Sequence, residues 1–373
     1  MVPPSVVVSE LQDYLNQSCI VAVGTAAAHL TTHHPMQPFS PRCFDGTAAS
    51  ASYNPAWQPM GRENDFRPFL AAALEPPGPE WRSVDIRQLV RFWRHPTRFF
   101  LEQIVGLQLW EEEAGIEESE PFILDPLQQY QVRQKMVRDL LCNRSPEQVF
   151  TNLTSSGSLP QGGFGLAQFT GLAVSSGPFA GQMRPLLATP LPPLEVDCAL
   201  GPFQLTGWLT DVYAEGRITW RSGALKGTDL IELWILHLLL NLLAPPGVEP
   251  CSTHAARDSS RGSDSVALHI LKPVADPEHY LRELLDHYWQ GLRAPLHFFP
   301  ETSRAWAEAA GSGRERDKAR AVWEKGFATS GEGSDLAYST VFRETDPLDD
   351  AFIALTHLFT PILAHLEADR AAA

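Results

Sequence analysis

Residues 194–221 read LEVDCALGPFQLTGWLTDVYAEGRITWR, and residues 228–243 continue as TDLIELWILHLLLNLL. The segments 194–200, 203–213 and 217–221 alternate or are β-rich, with short breaks at Gly201-Pro202 and Glu215-Gly216, and predict a three-stranded meander. The run that follows is apolar nearly all round, so it predicts a helix over 229–243, capped by Thr228 and buried on the sheet. After a polar loop at 249–264, residues 266–271 predict one more strand. With the helix signals upstream, the order is helix, three strands, helix, strand: a mixed α/β core.

The flanks are mostly helical. Ser83 is a candidate cap for a stripe of Ile86, Leu89, Val90 and Trp93, and Pro96 opens a second helix leading into Phe99, Phe100 and Ile104. Asp125-Pro126 and Asp276-Pro277 repeat one device, an Asp cap with Pro at the first helical position, each ahead of a 3.6-residue stripe. Residues 157–165 are Gly-rich and predict a structured turn, and residues 311–335 surround a short helix. A last helix over 348–366 carries Phe352, Leu355, Phe359, Ile362 and Leu363, with Pro361 expected to bend or break it. At the N-terminus, residues 5–8 predict a strand feeding a helix capped by Ser9. A lone strand needs a sheet that this segment lacks, so the chain is expected to be the C-terminal piece of a longer protein. Residues 31–79 are rich in Pro, Ala, Ser and Asn and predict an irregular segment ending in a linker, dividing the chain into domains 1–79 and 80–373.

Apolar residues at 44% and charged residues at 20% exclude a disordered or coiled-coil chain. Twenty-nine Lys and Arg against 44 Asp and Glu leave a formal charge of −15, which excludes a protein that coats DNA generally. Any nucleic-acid contact must be a local basic patch. The five cysteines are scattered with no C-x-x-C pair, so neither a disulfide scaffold nor a zinc knuckle is expected, and a reducing cytoplasm is. No secretory signal stands at the N-terminus, and the apolar run 233–244 is well short of the ~20 residues that span a bilayer.

The element order is also that of the PD-(D/E)XK nuclease core, whose chemistry needs clustered carboxylates to hold Mg²⁺ and a Lys beside the attacking water. Asp211 stands where the first acid belongs. No Asp or Glu occurs from Arg217 through Thr228, and the residue two before Lys226 is Ala224, so the partner acid is missing and Asp211 is a vestigial position. No metal site or cofactor is expected: His29, His33 and His34 have no carboxylate or Cys arranged around them, and Cys251 with His254 lacks two further ligands. There is neither a G-x-x-x-x-G-K-[ST] loop nor a G-x-S-x-G elbow. Two basic and aromatic clusters are candidates for DNA contact: Arg91, Arg94 and Arg98 in 91–100, and Arg217 with Trp220, Arg221 and Lys226.

Several motifs carry a family resemblance. Gly207-Trp208-Leu209, Arg217-Ile218-Thr219-Trp220-Arg221, residues 233–238, Pro4 to Leu11, Met36-Gln37-Pro38-Phe39, residues 91–96, Glu120-Pro121-Phe122-Ile123-Leu124, Leu159-Pro160, Phe164-Gly165 and Ala294-Pro295-Leu296 occur in an order that resembles the C-terminal part of the RecC family, the exodeoxyribonuclease V gamma subunits of RecBCD. The resemblance covers nearly the whole chain. It implies a degenerate PD-(D/E)XK-like core with many added helices, preceded by a short remnant of a helicase-like domain. It also implies a non-catalytic scaffold for double-strand-break repair that binds RecB and RecD and splits and channels duplex or forked DNA and its single strands, with no small-molecule substrate and no membrane. The alternative is a residual metal-dependent nuclease using Asp211 and Lys226 with Glu102, Glu195 or Glu232.

Overall fold

A computed structural model describes residues 5–47, 50–58, 68–109, 122–258, 265–324, 330–343 and 345–369. Glu120-Pro121, residues 59–67 of the irregular segment and residues 259–264 of the expected polar loop lie outside the described residues. The chain divides into two compact units, residues 1–66 and 67–373. In the first, helix α1 (Val6–Ser18) begins directly after Ser5, and α2 (Ala26–Leu30) is capped by the Thr25 side chain, which accepts the Ala28 N–H at 3.2 Å. The strand expected at 5–8 is therefore a helix. Three β-branched residues lower helix propensity by only tenths of a kcal/mol each, too little to stop a helix that Ser5 opens.

The second unit starts with strand β1 (Ser83–Asp85), then α3 (Ile86–Arg94), α4 (Pro96–Phe99) and a π-helical turn over Phe100–Val105. The cap of α3 is Asp85, which accepts the Arg87 N–H at 2.8 Å, and not Ser83, which pairs in the sheet. Helices α5 (Pro126–Leu141), α6 (Pro146–Ser155) and α7 (Gly162–Leu186) follow, α5 opening with the expected Asp125 cap. Strands β2 (Leu194–Leu200) and β3 (Phe203–Leu209) form an antiparallel hairpin, and β1 pairs parallel to β3 on its other edge.

Here the chain departs from a single meander. Asp211 takes a left-handed conformation, φ 62°, which ends β3 and turns the chain into a second sheet through β4 (Val212–Tyr213) and β5 (Gly216–Trp220). Gly216 sits so close to the Cys251 carbonyl that a Cβ would lie 2.2 Å from its oxygen, so only glycine fits this crossing. Helix α8 (Gly227–Leu243) then leads to β6 (Ser252–Asp258), which pairs parallel to β5. Residues 252–258 were expected in a polar loop; their polar side chains hid a strand whose His254 and Ser252 are buried with partners.

Strand β7 (Ser265–Leu271), helices α9 (Pro277–Gly291), α10 (Pro300–Glu308), α11 (Glu315–Glu324), α12 (Leu336–Val341), α13 (Asp350–Thr356) and α14 (Phe359–His365), and strand β8 (Leu366–Asp369) complete the unit. The second sheet has the order β4-β5-β6-β7-β8. The last helix breaks at His357-Leu358, ahead of Pro361, which is accommodated in the first turn of α14, where an N–H has no helical partner anyway.

Helix α8 is the centre of the core, as its all-round apolar sequence predicts. It touches α3, α9, α10, α14, β3 and β6, and Leu230, Ile231, Trp234, Ile235, Leu238, Leu239 and Leu240 are buried. Each such side chain contributes roughly 1.5–3 kcal/mol. Its N-terminus is capped by two carboxylates: Glu301 of α10 accepts the Gly227 N–H at 2.9 Å, and Asp229 in the first turn reaches back to the N–H of the capping residue Lys226 at 3.0 Å. Glu332 serves α10 likewise, accepting the N–H groups of Glu301 at 3.1 Å and Thr302 at 2.7 Å.

Candidate nucleic-acid interface

One cleft of about 510 Å³ gathers residues from both sequence clusters. Helix α3 buries Ile86, Leu89, Phe92 and Trp93, and the i, i+4, i+7 spacing of Arg87, Arg91 and Arg94 brings these three together on the cleft wall. His95 links α3 to α4: its Nδ1 accepts the Arg98 N–H at 3.1 Å, and its Nε2 faces Asp335 at 3.1 Å. Across the cleft, β3 supplies Trp208, the turn after it supplies Asp211, β5 supplies Arg217 and α8 supplies Glu232.

The cleft is lined by five arginines (87, 91, 94, 98 and 217) against three carboxylates (Glu102, Asp211 and Glu232). On a chain of formal charge −15, it is a local excess of positive charge. Arg91 pairs with Glu102 at 2.7 Å, Arg94 with Glu232 at 2.5 Å and Arg98 with Asp335 at 2.8 Å. Burial pushes the Asp335 carboxyl up, but the hydrogen bond and charge of His95, the Ala337 N–H and Arg98 outweigh it and hold the pKa at about 2. Arg217 differs from the others in being 5% exposed. Its Nε donates to the Thr210 carbonyl at 3.2 Å, its Nη2 lies 3.8 Å from Asp211, and its Nη1 is buried without a hydrogen-bond partner among the described residues. Burial lowers the guanidinium's pKa, and Asp211 and Glu232 oppose that shift.

Of the DNA-contact candidates picked out in the sequence, Arg91, Arg94, Arg98 and Arg217 meet in this cleft with Asp211, and the other three do not line it. Trp220 is half-buried against Phe179, with ring centroids 6.1 Å apart. Arg221 pairs with Asp229 and lies over the Tyr130 ring. Lys226 lines a separate hollow of about 460 Å³ with Glu301, Arg304 and Glu332. The aromatic that does offer a face in the cleft is Trp208, 58% exposed, which the sequence motif contained but its alternation did not single out.

Asp211 is explained by backbone and charge. Its left-handed φ and its place beside Arg217 predict that Asp211→Ala costs about 1–2 kcal/mol relative to Asp211→Gly, because a Cβ without a polar side chain is strained there. Asp211→Asn should fall between them, since Asn tolerates this region. Urea denaturation of the three variants tests this; equal midpoints for Ala and Gly would show that the turn does not constrain the residue.

Fold and cleft together define a class: a mixed α/β domain whose concave site presents guanidinium groups from two helices and a strand. Residues 81–311 match the family model of the RecC C-terminal domain, and the chain belongs to that family. It is similar to the RecBCD enzyme subunit RecC of Escherichia coli (strain K12), at 28% identity over 374 residues covering 92% of this chain and 32% of that protein. It is also similar to the RecBCD enzyme subunit RecC of Mycobacterium tuberculosis (strain CDC 1551 / Oshkosh), 26% identical over 93% of this chain and 32% of that protein, and of Mycolicibacterium smegmatis, 27% identical over 85% and 29%. The chain thus spans about a third of the length of these curated relatives. Among the described residues, no helix is long and apolar enough to cross a membrane.

Proposed function

We propose that this chain serves as a non-catalytic scaffold in a RecBCD-type complex for double-strand-break repair, docking on RecB and RecD in the cytoplasm and guiding forked duplex or a separated single strand along the arginine-walled cleft. The five arginines that line one cleft of a chain of formal charge −15 carry this reading. The guanidinium groups of Arg91, Arg94 and Arg98 are partly exposed there and can donate to phosphate oxygens. Trp208 in the same cleft offers a stacking face to a base. The arginine pairs on α3 and α4 do not stand in the way, because exposed ion pairs are worth only about 0–1 kcal/mol and yield to phosphate. Residues 1–79 are, on this reading, the end of a helicase-like domain with its linker.

The core around α8, with β5 and β6 parallel on either side of that helix in sequence, fits a degenerate PD-(D/E)XK nuclease. Glu102 and Glu232 do share the cleft with Asp211, but each holds an arginine, Glu195 is not part of the lining, and Lys226 lies in a different hollow. That favours scaffold over nuclease. Fluorescence anisotropy with forked and single-stranded DNA between 50 and 200 mM salt tests it. Combined Arg91→Gln, Arg94→Gln and Arg98→Gln should reduce the slope of log affinity against log salt by about 2–3, roughly 1 for each phosphate that is no longer neutralised. Trp208→Ala should cost about 5- to 150-fold on single strands, the worth of one stacked base. An unchanged slope would remove the cleft from the DNA path, and Mg²⁺-dependent cleavage lost in Asp211→Ala would replace scaffold with nuclease.

A further inference from the structure

We propose that Glu283, His287 and His357 form a binding site for a divalent transition-metal ion of the Zn²⁺ class, pinning α9 to the break between α13 and α14. Glu283 and His287 are one turn apart, i and i+4, on α9, whose opposite face (Leu281, Leu284, Leu285 and Tyr288) is buried in the core. His357 comes from the turn that interrupts the last helix. One ligand atom from each of the three lies within 4.8 Å of the others, the single such group among the described residues. A tetrahedral ion with bonds of about 2.0–2.1 Å needs ligand atoms about 3.4 Å apart, so small side-chain rotations close the site.

The outer contacts of the two rings select the ligating nitrogens. Nδ1 of His357 faces the Ala354 carbonyl, and its Nε2 donates to Glu283 Oε1 at 2.8 Å. A metal ion takes the place of that proton, with the two ligand atoms moving about 0.6 Å apart to reach tetrahedral spacing. Nδ1 of His287 donates to Gln290 Oε1 at 3.3 Å, leaving its Nε2 basic. Metal-bound histidines are held in this way, with the second ring nitrogen donating to a carbonyl. Two imidazoles and one carboxylate with a solvent-exposed side, His357 being half exposed, suit Zn²⁺, Co²⁺ or Ni²⁺ and not Mg²⁺ or Ca²⁺, which take all-oxygen sets.

The test is titration of the purified full chain with Co²⁺, followed by its visible d–d absorption and by displacement with Zn²⁺. Saturation at a single ion per chain is expected. His287→Gln and His357→Gln should each weaken binding by more than the roughly 10- to 100-fold that losing an outer partner costs, while His29→Gln, in the other compact unit, leaves it unchanged. Circular dichroism establishes that each variant is folded, and the isosteric Glu283→Gln supplies a third variant. Absence of a saturable spectrum in the wild-type chain, or binding as tight as the wild type's by folded His287→Gln and His357→Gln, would overturn the site.

Discussion

Stability of the larger unit is expected to fall as the pH is lowered from about 6.5 to about 4, because two histidines are folded into places that refuse a proton. His237, in the middle of α8, bonds Ser252 Oγ at 2.9 Å and the Lys272 carbonyl at 2.9 Å. Burial lowers its pKa to about 4; the carbonyl bond opposes the shift, and His365 and Arg217 add to it. His254 bonds Thr219 Oγ1 at 2.8 Å, and burial lowers its pKa to about 4 despite Asp229. In the unfolded chain both titrate near 6.5. Between 6.5 and 4 the unfolded state binds protons that the folded state does not, and stability drops by about 1.4 kcal/mol per pH unit for each group.

Glu332 acts in the opposite direction. Burial raises its pKa to about 7 against the hydrogen bonds from Thr302 and Glu301. Between about 4.5 and 7 it is protonated in the folded state and ionised in the unfolded one, so its contribution grows as pH falls through that window. Two histidines against one glutamate leave a net loss of about 1.4 kcal/mol per pH unit between 6.5 and 4.5, and about twice that just below 4.5. Burial also lowers the pKa values of His269 and His287, which steepens the decline. Urea melts from pH 7 to pH 4 measure the slope, with Glu332→Gln expected to steepen it and His254→Gln to flatten it. A profile that stays level into acid would mean that these imidazoles are not buried neutral.

Phe92→Ala should destabilise the unit by about 3–5 kcal/mol, the cost of an aromatic-sized cavity that the surroundings cannot fill. Phe92 is fully buried and meets the rings of Trp93 and Phe99 edge-on at 5.4 Å and Tyr288 at 5.0 Å. The neighbouring backbone is already as close as it can come, since a Cβ on Gly291 would lie 2.4 Å from the Phe92 ring. Gly291→Ala alone is therefore expected to destabilise through overlap, yet to cost much less in the Phe92→Ala background, where the methyl group enters the vacated space. That coupling, read from a double-mutant cycle of urea midpoints, distinguishes loss of packing from a general weakening of α3. Because α3 carries Arg87, Arg91 and Arg94 opposite Phe92, DNA affinity should fall with stability. Additive effects of the two substitutions would show that the rings do not rest on Gly291.

Local chemistry made several elements legible. Asp125-Pro126 and Asp276-Pro277 open α5 and α9 where they stand, since a cap and a pre-set φ act within one turn. The all-round apolar pattern of α8 marked it as the buried centre. Less visible were β1, three residues that are extended only because β3 lies beside them, and β6, whose Ser, His and Arg pattern looks like a loop until Thr219 and His237 supply partners. Of the candidate interface, Arg91 and Arg94 of α3 were legible as part of the basic and aromatic cluster 91–100, whereas Arg87, one turn earlier on the same face, was not. That Trp208 and not Trp220 faces the cleft was not, because alternation assigns sides of a strand without saying which side remains open.

The sequence by itself determined the mixed α/β order, the acidic body with basic clusters, the missing acid ahead of Lys226 and the ordered motifs shared with the RecC family. These are properties of residue type and short spacing, which the chain carries before it folds. Only the tertiary structure decided that the meander splits at Asp211 into two sheets, that α3, α4 and β5 bring Arg91, Arg94, Arg98 and Arg217 into one cleft, and that His357 reaches Glu283 and His287. Each of those pairings joins residues far apart in the chain. What brings them together is the burial of α8 and α9 in a common core, a long-range packing free energy that no local window contains.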